Sequence, residues 1–319
     1  MGMLTGVGRD AYTHRPVLVE AVLAGLRIRP AGRYVDATFG CGGHSARILE
    51  HLEDNGCLLA LDRDPGAVQI AQERFRGDTR FAMAHACFST LGDQITARGW
   101  QGRVDGILFD LGVSSPQLDD PSRGFSFTKT GPLDMRMDTS RGKTAAMWLA
   151  QAKEDEIIEV LRTFGEERYA PRIARAIVNA RKQDPLINTA TLASVVAQAN
   201  PRWERDKHPA TRAFQAIRIF INQELNELVA ALPQALTALA PGGRLVVMSF
   251  HSLEDRIVKQ FIRREARGES LPRDLPVMAS TFHPRLREMG GVIRADTTEV
   301  SENPRARSAV LRIAERVEA

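Results

Sequence analysis

The sequence predicts an α/β fold, a mainly parallel sheet interrupted by a small helical insert. Three observations predict it. The first third of the 319-residue chain alternates short β-rich runs with helical patterns. Strong β-rich runs then stop at residue 109 and resume only at 243. Across most of the stretch between them, apolar residues recur at helical spacing.

The elements follow in order. Leu18, Val22 and Leu26 share a face and predict a helix over 17–26. Residues 33–37 (RYVDA) read as the first strand and run into a glycine-rich turn. A helix is expected over 45–52, a strand over 57–61 (CLLAL) ending at Asp62, and a helix over 67–75. A weaker strand at 80–85 precedes a strong one at 104–109 (VDGILF), which ends at Asp110. A complete βαβ unit takes about 30 residues, yet 133 residues, 111–243, separate this strand from GRLVVM at 243–248. Within that span Ile157, Leu161 and Phe164 share one helical face, Ile173, Ile177 and Ala180 a second, and Leu192, Val195 and Ala199 a third. Gly165, Asp184-Pro185 and Asn200-Pro201 punctuate them. Residues 209–239 read as one long helix or two, with Phe214, Ile217, Ile221, Leu225 and Leu228 along one side. Pro241-Gly242-Gly243 turns into the next strand, 253–266 is a helix, 267–307 is mostly loop, and 308–314 is a last strand. The expected organisation is a discontinuous domain over 1–115 and 210–319, with the insert over 116–209.

Composition excludes several classes. Apolar residues make up 43% and charged residues 26%, ordinary for a globular protein and unlike a disordered or fibrous one. The chain has no run of about 18 apolar residues and no secretory pattern at its start. Three cysteines without CxxC or metal-ligand spacing suggest neither a disulfide framework nor a metal site, and fit a reducing cytoplasm. The net charge of +4 is uneven: residues 1–118 carry 12 basic and 13 acidic groups, whereas 119–219 carry 17 and 13. The excess coincides with the insert and points to an anionic partner. Two basic groupings stand out there, Arg123, Lys129, Arg136 and Arg141, then Arg172, Arg175, Arg181 and Lys182. A solvated helix face explains such runs equally well.

The chemistry concentrates at strand ends. The first strand leads into Asp36-Ala37-Thr38-Phe39-Gly40-Cys41-Gly42-Gly43-His44. Glycines there let the backbone approach a ligand, and the following helix offers free N–H groups. Asp62 ends the second strand 22 positions after Gly40, where a carboxylate can take a ribose hydroxyl pair. The dinucleotide pattern would need a third glycine at 45, which is Ser45. Asp36 at the mouth of the loop would repel a pyrophosphate but attract the amino group and sulfonium of S-adenosylmethionine. Asp110 adds another negative charge beside the same pocket. Carboxylates at three strand ends therefore favour S-adenosylmethionine over a nicotinamide dinucleotide. His44 reads either as a capping histidine or as a contact to the cofactor's carboxylate end.

DATFGCGGHS (36–45), LDRDP (61–65), DGILFDLGVSSPQLDDPSRGFSF (105–127), GPLDMRMD (131–138), GEERYAPRIARAI (165–177), HPATRAFQAIRI (208–219), SFHSLEDRIVK (249–259) and NPRARSAVLRIAER (303–316) occur in this order. Together they resemble the small-subunit ribosomal RNA methyltransferase H (MraW) family over essentially the whole chain. The resemblance implies a class I (Rossmann-like) S-adenosylmethionine-dependent methyltransferase with an inserted helical domain. It implies cofactor contacts at Gly42, Gly43, His44, Asp62, Phe88, Asp110 and Gln117, with Phe88 walling the adenine. It also implies the substrate, the exocyclic N4 of one cytidine in the decoding region of 16S rRNA.

Cytosine N4 is a poor nucleophile, because its lone pair is delocalised into the ring, and it must lose a proton on transfer. Asp110 is the candidate acceptor, although it could serve the cofactor alone. Many amino-methyltransferases place a Pro-Pro-aromatic motif after the fourth strand. Here Asp110-Leu111-Gly112-Val113-Ser114-Ser115-Pro116 has no aromatic. Phe125, Phe127, Phe250 and His251 are candidates for holding an unpaired base, and Arg123 and Arg136 for contacting RNA. Packing between insert and core explains the aromatics equally well. A decoding-region target suggests the assembled small subunit as partner, and the oligomeric state, a homodimer included, is left open. Two other functions compete: a non-catalytic RNA-binding or ribosome assembly protein on a methyltransferase fold, and a nicotinamide-dependent oxidoreductase.

Overall fold

A computed structural model describes residues 16–203, 208–267 and 283–318. The first part runs α1 (Val19–Leu26), β1 (Arg33–Asp36), α2 (Gly43–Leu49), β2 (Cys57–Asp62), α3 (Pro65–Arg74), β3 (Phe81–His85), α4 (Leu91–Ala97) and β4 (Val104–Asp110). Helices follow: α5 (Ser115–Asp119), α6 (Ala145–Gln151), α7 (Glu154–Gly165), α8 (Ala170–Gln183), α9 (Thr189–Ala199), α10 (Ala210–Asn222) and α11 (Glu224–Ala238). The chain then returns to the sheet through β5 (Leu239–Ser249), α12 (Ser252–Arg267), β6 (Leu286–Glu288), α13 (Thr297–Glu302) and β7 (Val310–Arg316).

The seven strands lie in the order β3-β2-β1-β4-β5-β7-β6. β1 to β5 are mutually parallel, and β7 runs antiparallel between β5 and β6. Both faces of the sheet are covered, so its central strands are apolar throughout rather than alternating with polar residues. Val35, Ile107, Phe109, Leu245 and Val247 pack in the cluster that includes Leu91, Leu228, Leu232 and Val258 from α4, α11 and α12. Their neighbours Tyr34, Leu108, Val246 and Met248 point the other way, into the cluster with Val22 and Leu26 of α1 and Ile48 of α2. This two-residue alternation is the strand period read directly from burial.

The structure adjusts four sequence expectations. Leu91 and Ile95 are the only buried residues of α4, too short a pattern to show in the sequence. β5 starts at Leu239, because Val104 pairs with Leu239 and Gly106 with Arg244, so Pro241-Gly242-Gly243 bulges from the strand. Part of 267–307 forms β6 and α13, and 268–282 lie outside the described residues. Of the one long helix or two expected over 209–239, the chain forms two, broken at Gln223 in the left-handed region (φ 52°).

The insert has its own core. Ile157 and Leu161 of α7, Ile173 and Ile177 of α8, and Leu192 and Val196 of α9 join Phe125, Leu133 and Met135 from the preceding loops. Ala213, Phe214 and Ile217 of α10 complete that cluster. The apolar face of α10 thus packs on the inserted helices.

Candidate active site

The chain leaves β1 toward β2 and leaves β4 toward β5, so the carboxyl ends of β1 and β4 form the switch point where open α/β sheets bind ligands. A cleft of about 340 Å³ opens there. One wall consists of the loops after β1, β2, β3 and β4. The other comes from Leu118, Met137, Arg218 of α10 and Phe250 after β5.

The β1 loop is shaped by glycine. Gly42 caps α2 with φ +73°, and a Cβ there would lie 2.4 Å from the Phe39 ring. Gly42 does not itself line the cleft, whereas Gly40 and Gly43 do. Asp62 ties this loop to its own: it accepts the Gly40 N–H at Oδ2 and the Asp64 N–H at Oδ1, both at 2.8 Å. Burial pushes the Asp62 carboxyl up to about 6, against the pull of those two donors. Asp36, expected to face the ligand, does not line the cleft. It is 1% exposed and accepts bonds from the Ser45 hydroxyl (2.7 Å) and the Thr38 N–H (3.2 Å), so it braces β1 against α2 from behind. Burial raises its carboxyl above the usual range.

Asp110 ends β4 with its side chain 28% exposed in the cleft, and its N–H donates to Thr38 Oγ1 at 2.6 Å. His44 Nε2 approaches Asp110 Oδ2 to 3.5 Å, longer than a good hydrogen bond. The imidazole is buried, and neither ring nitrogen finds a hydrogen-bond partner among the described residues. Burial pulls its pKa down, but the Asp110 and Asp36 carboxylates outweigh burial and leave it raised. A buried imidazole with two unused nitrogens beside a cleft is suited to a ligand group.

Phe88 lines the cleft and meets Phe109 edge-on, with ring centroids 5.8 Å apart. Gln117 also lines it, but its amide is engaged locally: Oε1 accepts the Ser114 N–H at 2.9 Å and Nε2 donates to Asp64 Oδ2 at 2.7 Å. Asp64 is a junction that the sequence reading missed. Buried at the start of α3, it also accepts from Gly66 N–H (2.9 Å) and from Arg123 Nη1 (2.7 Å).

The candidate RNA-contacting residues separate. Arg123 holds Asp64 and the carbonyls of Arg136 and Met137, and Arg136 forks onto both Asp134 oxygens at 2.8 Å. Both guanidinium groups fix loops. Phe125 is 7% exposed in the insert's core and does not line the cleft. Phe127 lies between Phe214 and His208, with centroids 4.9 and 4.7 Å away. Phe250 lines the cleft. His251 does not, because its Nε2 sits 3.1 Å from Glu254 Oε1 in a turn whose Phe250 N–H donates to Glu254 Oε2 at 2.8 Å. Arg218 and Met137 were missed. For Arg218 a signal existed: the arginine sits four positions after Phe214, on the apolar face of its helix.

A 3-2-1-4-5-7-6 sheet with a reversed β7, a ligand cleft at the β1/β4 switch point and a carboxylate closing β2 define a class I methyltransferase. The sequence matches the MraW methylase family over residues 11–317, and the chain belongs to that family. Ribosomal RNA small subunit methyltransferase H of Thioalkalivibrio sulfidiphilus is 57% identical over 312 residues, spanning 97% of this chain and 99% of that protein. The protein of the same name from Coxiella burnetii (strain RSA 493 / Nine Mile phase I) is 54% identical over 304 residues, spanning 95% and 99%. Among solved structures, an rRNA methylase from Streptococcus thermophilus aligns with a TM-score of 0.43 at 12% identity, spanning 97% of this chain and 100% of that one.

Proposed function

We propose that this chain transfers a methyl group from S-adenosylmethionine to the exocyclic N4 of one cytidine in the decoding region of 16S rRNA, acting in the cytoplasm on the assembled small subunit. Methylation of small-subunit rRNA follows from the family and from the names of relatives 54 and 57% identical. The finer reading rests above all on Asp110, a carboxylate partly exposed in the cleft between the two walls.

The residues present fit the cofactor. Asp62 would take the ribose hydroxyls, Phe88 would wall the adenine, and Gly40 with Gly43 would admit the amino-acid portion close to the backbone. His44 has two unused ring nitrogens to offer its polar end. When bound, S-adenosylmethionine supplies a methyl group on a positively charged sulfur, which the carboxylates of this wall favour. The chain's own part is mainly positioning. Asp110 accepts the hydrogens of the cytosine amine, orients its lone pair and takes the proton released on transfer. Phe250 and Met137 give the base an apolar seat out of water.

The test is transfer of tritium from labelled S-adenosylmethionine to small subunits purified from a strain lacking this gene, with the labelled nucleoside mapped. Label on N4 of a single cytidine in 16S rRNA is expected. Label on any other atom overturns the N4 assignment. No label despite measured cofactor binding favours the assembly-factor reading, and binding of NAD instead favours the oxidoreductase.

A further inference from the structure

Arg218 is a cation on the apolar face of α10, and its side chain is 15% exposed. Its Nε and Nη2 donate to the two oxygens of Glu224, each at 2.9 Å, which fixes the plane of the guanidinium. Glu224 is itself 8% exposed, so the pair sits largely out of water. The third nitrogen, Nη1, has no hydrogen-bond partner among the described residues, although Arg218 lines the cleft. That arm is not among the buried unpartnered atoms, so it is open to the cleft, in a plane already fixed by Glu224, and can bond an anionic ligand group without rearrangement. Arg63, also on the cleft, donates from Nη1 to the Asn222 carbonyl at 2.6 Å, while its Nε is buried without a partner among the described residues.

The position of Arg218 indicates the kind of ligand. Besides Glu224 it feels the charge of Glu254, whose carboxylate accepts the Phe250 N–H just after β5. In the sheet, β4 separates β1 and β2 from β5, so Asp110 stands between the Asp62 side of the cleft and the Arg218 side. Carboxylates on the first side suit a cationic donor. A cation on the second suits an anion, and the anion that must enter beside a target base is its own backbone phosphate. A base drawn out of its stack into a pocket brings that phosphate with it.

We propose that Arg218, held by Glu224, anchors a phosphate of the acceptor strand at the target nucleotide. This rests on the polynucleotide substrate proposed above. The competing source of an anionic oxygen is the cofactor's own carboxylate.

The variant Arg218→Gln with Glu224→Gln replaces the ion pair by an amide pair and leaves no lone buried charge. Arg218→Lys, a second route, keeps a charge on Glu224 but has no arm left for the cleft. S-adenosylmethionine affinity, measured by calorimetry, is expected to stay within about twofold, since phosphate contacts set nucleic-acid rather than cofactor affinity. For unmodified small subunits, the slope of log affinity against log salt is expected to shrink by about one. Single-turnover methyl transfer is expected to fall about 10- to 100-fold, the usual effect of losing a charge-assisted positioning contact. An unchanged slope with unchanged transfer overturns the proposal. A loss of S-adenosylmethionine affinity that accounts for the loss of transfer also overturns it and assigns Arg218 to the cofactor. If wild-type protein methylates no RNA, the underlying reading fails with it. If wild-type methylates and the variants match it, this inference alone fails.

Discussion

On the β1–β2–β4 wall of the cleft, the polar groups come from strand ends and the turns directly after them. Gly40, Gly43, His44, Asp62 and Asp110 are placed by β-ladder register, so each is fixed as soon as its strand pairs. On the facing wall, Leu118, Met137, Arg218 and Phe250 come from four separate segments, and only tertiary packing brings them together. The first wall is a motif and the second is an assembly. The difference fits the tasks proposed for them: a cofactor of fixed shape can be met by a rigid sheet edge, and a base by a seat assembled from several segments.

The two walls meet at Asp110, and its removal is expected to have the largest effect. Asp110→Ala should lower kcat by about 10² to 10³, the range for losing a positioned proton acceptor. Cofactor affinity should fall by no more than about tenfold, because Asp62, Phe88 and the glycine loop remain, each contact being worth about 1 kcal/mol. Single-turnover transfer beside calorimetry separates the two quantities. Equal losses in both would place Asp110 wholly on the cofactor wall.

The second wall depends on Asn222. Its Oδ1 accepts the Met137 N–H at 2.7 Å, its Nδ2 donates to the Met135 carbonyl at 2.7 Å, and its own carbonyl accepts from Arg63. Met135 itself sits at φ +62°, so these bonds hold a backbone that would relax without them. Asn222→Ala should cost about 2–3 kcal/mol in denaturant unfolding, because two buried backbone groups lose their partners. Acceptor KM should rise more than cofactor Kd. A variant that weakens cofactor binding first would show that the walls are not independent.

The first wall has a pH signature. The Asp62 carboxyl, pushed up to about 6 by burial, stays protonated to higher pH than an exposed aspartate. Its folded pKa is raised, so its contribution to stability is fullest at low pH and declines as pH climbs from about 4 to about 6. Cofactor binding runs the opposite way. Ribose hydroxyls donate, so they need the ionised carboxylate, and affinity for S-adenosylmethionine should rise from pH 5 to pH 7 and level off above about 6. Asp62→Asn should flatten that rise and weaken binding about tenfold at pH 7, the loss of a charged hydrogen-bond acceptor. A variant with the wild-type pH profile would remove Asp62 from the ribose.

The same contrast explains what could be read from the sequence. Asp62, Asp110 and the 40–44 turn follow short apolar runs, so the strand pattern placed them before any contact was known. Asp36 was misplaced because the pattern gives the strand end and not the direction of its side chain, and Ser45 turns that carboxylate inward. Arg123 and Arg136 stand as RNA candidates in the sequence because it shows charge and not partner: Asp64 is 59 positions from Arg123 in the chain but 2.7 Å away in space, and Asp134 takes Arg136 from two positions away. Asn222 matters through contacts with loops more than 80 positions away, which no local window contains.

What remains of the basic insert should act weakly and from a distance. With Arg123 and Arg136 committed to loops, and Arg175 within 3.5 Å of Glu154, the exposed cations of α8 are Arg172 and Lys182. Neither has a hydrogen bond or ion pair among the described residues. Replacing both by alanine should reduce small-subunit affinity about three- to tenfold at low salt and lower the salt slope by at most about two, as for loosely held phosphate contacts. Transfer at saturating subunit should be unchanged, because neither residue lines the cleft. Titrations across a salt series measure it. A flat response would remove α8 from the RNA path and leave docking to the second wall of the cleft, where Arg218 already waits on the β5 side.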